Sequence, residues 1–167
     1  MRYGLDTRAG ERSHPVDAIE ALAHGRAWAF ERGCDDEIAI RVEGAWTQYD
    51  IAFAWLEEHQ AIHASCAFDQ PIPAGRLDEA LRLVAAINER LVLGHMEAWA
   101  KDSLVTFRHA LPLHGGVEPT DAQVEALLAH ALEACERHYQ AFQFVVWAGK
   151  SALDALDSVL FDTVGEA

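Results

Sequence analysis

Nine histidines in a chain of 167 residues put imidazole chemistry first, because histidine titrates near neutral pH and is the commonest metal ligand. His95 and His109 form the pair of most interest. Each stands in a short alternating apolar run, in phase with Trp99 and Phe107 respectively. Cross-strand pairing of those runs makes them neighbours in a paired site beside a groove. A small enzyme or metal-dependent domain built on His95, His109 and His114 is the alternative this pattern keeps open. The bland reading, which we favour, is two scaffold histidines hydrogen-bonded to the sheet or to Asn88 and Glu89. His14, His24, His59 and His114 fall near element ends and read as solvated.

The other reactive side chains converge less. Cys135 and His138 stand one helical turn apart and can share a metal with His130, but a stable site wants three or four ligands and no second close pair occurs. Cys66 with His63 or His95 lacks anything nearby to lower a thiol pKa. Gly149-Lys150-Ser151 has the ending of a phosphate-binding loop, yet Phe144 occupies the position where that loop needs a glycine. Asp35-Asp36-Glu37 and Glu57-Glu58 are acidic turns, and exposed carboxylates do not separate their pKa values into an acid and a base. No convergent catalytic set, no cofactor and no metal are expected, which argues against an enzyme.

Thirteen Lys and Arg against 27 Asp and Glu give a formal net charge of −14. Such a surface repels nucleic-acid phosphates and anionic membrane faces, so nucleic acid and membrane are not expected as partners. No uncharged apolar run approaches membrane-spanning length. The N-terminal residues contain no signal-like apolar core. Cys34, Cys66 and Cys135 are far apart with no CxxC, as in a reduced cytoplasmic protein. The expectation is a cytoplasmic protein.

The elements that position these residues follow from periodicity. Residues 1–12 read as a flexible tail, and 13–167 as a single α+β domain. Ser13 and Pro15 open a short helix with Val16, Ile19 and Leu22 on its stripe, ended by Gly25. Four alternating runs follow, around Trp28–Phe30, Ile38–Val42, Tyr49–Trp55 and Ile62–Phe68, as an antiparallel meander. A helix from Arg76 to Leu91 carries Leu77, Leu81, Val84, Ile87 and Leu91. His95–Trp99 and Val105–Leu111 form a second hairpin. Thr120 and Gln123 form a capping box for a long helix to about Lys150, striped by Val124, Leu128, Ala131, Cys135, Tyr139, Phe142 and Val146. Ser151 and Asp154 cap a last short helix. The predicted order is α-β-β-β-β-α-β-β-α-α.

Six separated blocks carry a family resemblance: Trp28-Ala29-Phe30-Glu31, Cys66-Ala67-Phe68-Asp69, Ile87-Asn88-Glu89-Arg90-Leu91, Leu93-Gly94-His95, Phe107-Arg108-His109-Ala110-Leu111 and Phe142-Gln143-Phe144-Val145-Val146-Trp147. Together they resemble the YbjN family, described as bacterial sensory transduction regulators, from about Pro15 to Val164. That resemblance implies a fold like the class I type III secretion chaperones, which are small, acidic, usually dimeric and non-catalytic, and hold client segments on sheet and helix surfaces. It supplies no catalytic residues.

The five tryptophans, Trp28, Trp46, Trp55, Trp99 and Trp147, are expected mostly in the core. A sheet with one helical layer still leaves a face uncovered, where an aromatic favours a protein partner. Edge strands can likewise pair with another subunit or an extended client. The sequence therefore reads as a non-catalytic protein- or peptide-binding module, a homodimer, with His95, Trp99, Arg108, His109 and Trp147 as its candidate binding residues.

Overall fold

A computed structural model describes residues 13–164, so the tail expected at 1–12 lies outside the described residues. The order is α1 (Pro15–Arg26), β1 (Ala29–Cys34), β2 (Glu37–Glu43), β3 (Gln48–Leu56), β4 (Ala61–Ala67), α2 (Leu77–Asn88), β5 (His95–Trp99), β6 (Leu104–Pro112), α3 (Asp121–Val146) and α4 (Ala152–Val164). This is the order expected from periodicity, with single 3-10 turns at Glu57–His59 and Ala74–Arg76.

All six strands join one antiparallel sheet in the order β1-β2-β3-β4-β6-β5. Strand alternation sends large apolar residues to one face: Ile38 and Ile40, Tyr49, Ile51 and Phe53, Ile62, Ala64 and Cys66, Val105 and Phe107, and Met96 are all buried. α1 packs there on β1, β2 and β3, α2 on β5, and α3 on β3, β4 and β6. α4 rests on α2 and α3. Among the described residues the opposite face has no helix and carries mainly small and polar residues, among them Ala39, Ala52, Ala54, Ser65, Ala67 and Ala110.

α3 spans about 39 Å at the standard helical rise. Thr120 accepts from the Gln123 amide at 3.2 Å while the Gln123 side chain accepts from the Thr120 amide at 2.9 Å, closing the expected capping box. All seven expected stripe residues are buried. Polar ties fix the helix to its neighbours. The Tyr139 hydroxyl donates to Asp69 at 3.1 Å, and the Ala45 amide donates to the Glu136 carboxylate at 3.0 Å. Arg76 donates to the Val145 carbonyl at 2.7 Å and to that of Lys150, a cation at a helix C-terminus where the carbonyl dipoles favour it. Glu79 accepts from the Ala152 amide at 2.8 Å at the start of α4. The beginning of α2 thus holds the α3–α4 junction.

Several expectations need correction. α1 is capped by His14, whose Nδ1 accepts from the Val16 amide at 3.3 Å, and not by Ser13. His14 also lies 3.1 Å from Asp36 and is half-buried, so it is not a free solvated histidine. α1 ends beyond Gly25, on Ala27 in the left-handed region at φ 57°. α2 ends at Asn88 because its side-chain amide leaves the helix to pair with the β5 backbone, accepting from Met96 N at 2.8 Å and donating to Met96 O at 2.9 Å. The buried stripe of α2 is Ala80, Leu83, Val84 and Ile87, and Leu81 is exposed. α3 stops at Val146, four residues short of Lys150. No tryptophan is buried. Trp28 and Trp55 are partly covered, whereas Trp46, between β2 and β3, Trp99, on the outward phase of β5, and Trp147, at the C-cap of α3, are exposed.

Gly94 enters β5 at φ +70°, and a Cβ built there would stand 2.4 Å from the fully buried Phe107 ring. Gly94→Ala is expected to destabilise by more than about 2 kcal/mol, combining left-handed strain with a core clash. Gly75→Ala, at a site with open space, should stay within about 0.5 kcal/mol of the parent. Urea midpoints of the two variants check this pair.

Candidate functional site

The pairing of β6 with both β4 and β5 assembles a polar cluster on the uncovered face. His95 stands opposite Arg108, Glu97 opposite Thr106 and Trp99 opposite Leu104. On the other side of β6, Ser65 stands opposite Arg108 and Ala67 opposite Thr106, with His63, two residues from Ser65, opposite Ala110. Residues two apart on a strand share a face, so His63, Ser65, Ala67, His95, Glu97, Trp99, Thr106 and Arg108 point the same way.

Glu97 is the hub. It accepts from Trp99 Nε1 at 2.7 Å and from Arg108 Nη1 at 3.1 Å to each oxygen, and His95 Nε2 lies 3.0 Å away. The Trp99 hydrogen bond most of all, then those from His95 and Arg108, pull its carboxyl down to about 2. Arg108 Nε donates to His63 Nε2 at 2.8 Å. A guanidinium has no lone pair to offer, so His63 Nε2 must accept, and the ring is neutral with its proton on Nδ1. Burial and the adjacent guanidinium both lower the His63 pKa, consistent with that tautomer.

Beside this network lies a cavity of about 500 Å³. Ser65, Ala67 and the buried Thr106 form its floor, Leu104 and Trp99 one wall, and His63 and Arg108 another. Its small residues leave room for an incoming side chain, and its rim holds fixed donors. Proton transfer is poorly served: Glu97 is ionised with its oxygens engaged, and the His63 lone pair is taken by Arg108.

The structure divides the expected site residues. His95, Trp99 and Arg108 come together. His109 does not join them: it is the residue after the partner of His95 and faces the helices, with its ring centroid 5.8 Å from that of His130 on α3. Burial, then the fields of His130 and His95, lower its pKa. The expected His95–His109 pairing fails because the register sets His95 against Arg108. His114 lies beyond β6, 3.4 Å from Gln60. Trp147 sits at the C-cap of α3, in the helical layer, 64% exposed. His63, Ser65, Glu97 and Thr106 were not singled out from sequence. Their alternation phase marks them as outward, but joining them needs the β4–β6 pairing, across more than 40 residues.

Several other reactive groups serve the scaffold. Cys66 and Cys135 are fully buried, and hydrogen bonding to Cys66 together with burial pushes the Cys135 thiol far up. His138 donates its Nδ1 hydrogen to the Ala134 carbonyl at 2.8 Å. Lys150 bonds Ser158 at 3.0 Å and lies 4.3 Å from the centroid of the Phe144 ring, and Ser151 caps α4 through the Asp154 amide at 3.2 Å. Among the described residues no group of three or more His, Cys, Asp or Glu is arranged to hold a metal ion.

Comparison with known proteins agrees with this architecture. Residues 15–144 match the family described as "YbjN: Putative bacterial sensory transduction regulator". Among solved structures, the chain is similar to "Crystal structure of YbjN, a putative transcription regulator from E. coli", with a TM-score of 0.54 at 12% identity over 74% of this chain and 90% of that one. At that identity the likeness concerns the fold. No curated protein matches the sequence.

Glu97→Gln tests the hub. A carboxylate whose folded pKa lies below its unfolded value stabilises above the unfolded pKa, and that stabilisation is lost as pH falls through the folded pKa. The parent should exceed the variant by roughly 1–2 kcal/mol at pH 7, after discounting for solvent screening. The gap should shrink between pH 4.5 and about 2. A pH-independent gap in denaturation experiments would exclude the charge as its source.

Proposed function

Because this chain belongs to the YbjN family, we propose that it is a non-catalytic regulatory module of the cytoplasm, which holds a protein or peptide partner on the uncovered face of its sheet. One observation carries this reading: the face opposite the helices bears a cavity of about 500 Å³, walled by an exposed tryptophan and rimmed by the Glu97–Arg108–His63 network. An exposed aromatic beside a pocket, with donors and acceptors already ordered, is the composition of an interface anchor. The partner inserts an apolar side chain against Trp99 and Ala67 and hydrogen-bonds at the rim. The net charge of −14 favours a neutral or basic partner over nucleic acid. Among the described residues no helix is long and apolar enough to cross a membrane.

Homodimerisation is part of the same proposal. β1 and β5 are the sheet edges, and unpaired edge backbone favours strand addition by a second copy or an extended client. The secretion-chaperone resemblance supports the same mode of action, with client segments held on element surfaces.

The test is capture of stoichiometric partners from the source bacterium by the tagged protein, followed by measured affinities for the purified partner. Trp99→Ala should weaken binding by more than about 2 kcal/mol, roughly thirtyfold, as at an interface hot spot. Ala67→Arg, which fills the cavity, should do the same, while Trp147→Ala in the helical layer should leave affinity within about threefold. Equal loss in all three folded variants, or in Trp147→Ala alone, would move the interface away from the open face.

A further inference from the structure

A second cavity, of about 210 Å³, lies on the helical side between α3 and the 90–93 segment that follows α2. Its lining is unlike the rest of the molecule. The chain as a whole carries twice as many acidic as basic side chains, yet here Arg90, Arg137, His130 and His138 converge with only one carboxylate, Glu133. Helical spacing explains the α3 contribution: residues 130, 133, 134, 137 and 138 fall on one face.

Glu133 pairs with Arg137. Arg90 has no carboxylate partner among the described residues, so the pocket keeps one unneutralised guanidinium. His130 has a buried Nδ1 without a hydrogen-bond partner. His138 reports the local field: burial first, and then the charges of Arg137 and Arg90, lower its pKa. An anion placed among these groups cancels that field. The recess, about 210 Å³, has room for a small hydrated oxyanion.

We propose that this pocket binds a phosphate-sized oxyanion between Arg90 and Arg137, either free phosphate or the terminal group of a small phosphomonoester. Arg90 supplies charge-assisted donors in the fork geometry that suits phosphate, and Arg137 adds those donors not engaged by Glu133. The site is separate from the open sheet face, and its reading does not depend on the one proposed there.

The test titrates the full chain with inorganic phosphate and, separately, glycerol phosphate, at constant ionic strength set with sodium chloride. Calorimetry and the imidazole resonances of His130 and His138 are the readouts. Saturable binding is expected with a Kd on the order of 1 mM or tighter. Arg90→Gln and Arg137→Gln, both at exposed positions, should each weaken it at least about tenfold. Glu133→Gln should tighten it several-fold by removing the opposing charge, an effect a purely structural residue would not produce. Saturation by phosphate identifies the free ion as sufficient, and saturation by the ester alone identifies the esterified group as the ligand. The proposal fails if neither compound moves the two histidines saturably, or if binding survives in both arginine variants.

Discussion

The constraint on which the rest of this molecule depends is the one-sidedness of its sheet. Along each strand, large apolar residues occupy one phase and small or polar residues the other, so a single layer of helices suffices to remove the apolar face from water. Ile40, Ile51, Phe53, Ile62 and Phe107 are fully buried against α1, α2 and α3. A slip of one residue would exchange the two faces and put those side chains in solvent, which makes the register strongly specified. At roughly 25 cal/mol per Å² of apolar surface, this layer is the main source of stability, and the polar ties at Asp69, Glu136 and Arg76 orient the helices upon it.

The same constraint creates the surface proposed to hold a partner. With every described helix committed to one side, the other side is left as a floor of alanine, serine and threonine. Three strands then bring polar groups onto it: β4 supplies His63, β6 supplies Arg108 and β5 supplies Glu97 and Trp99. Arg108 is the bridging element, bonded on one side to His63 and on the other to Glu97. A guanidinium serves this place well, since its planar fork can engage an imidazole lone pair and a carboxylate together. The result is a fixed polar rim beside an apolar recess, suited to recognition more than to proton transfer.

On the helical side, a different logic gathers basic side chains. His130, Arg137 and His138 recur at helical spacing on α3, and the end of α2 brings Arg90 over them. An acidic protein that gathers basic side chains around one small cavity departs from its own average, and the departure is local. The two surfaces lie in different layers, separated by the sheet and α3, so a ligand in one need not obstruct a partner on the other.

Element types and their order were legible in the sequence by itself, because periodicity and capping are local: alternation marked every strand, Thr120 and Gln123 marked the start of α3, and its seven-residue stripe is buried as spacing required. Residues such as Trp99 and Arg108 could be named from it as site candidates. Only the tertiary structure decided which of them meet. His95 and His109 share a hairpin and looked like partners, yet a one-residue difference in register turns them to opposite faces. His63 and Arg108, 45 positions apart, meet because β6 inserts between β4 and β5. The tryptophans were expected mostly inside by their size, yet Trp28 and Trp55 are only partly covered and Trp46, Trp99 and Trp147 are exposed, since the last three fall outside the inward phase of the sheet. Pairing between distant strands is a property of the whole packed chain, and no local pattern of residues encodes it.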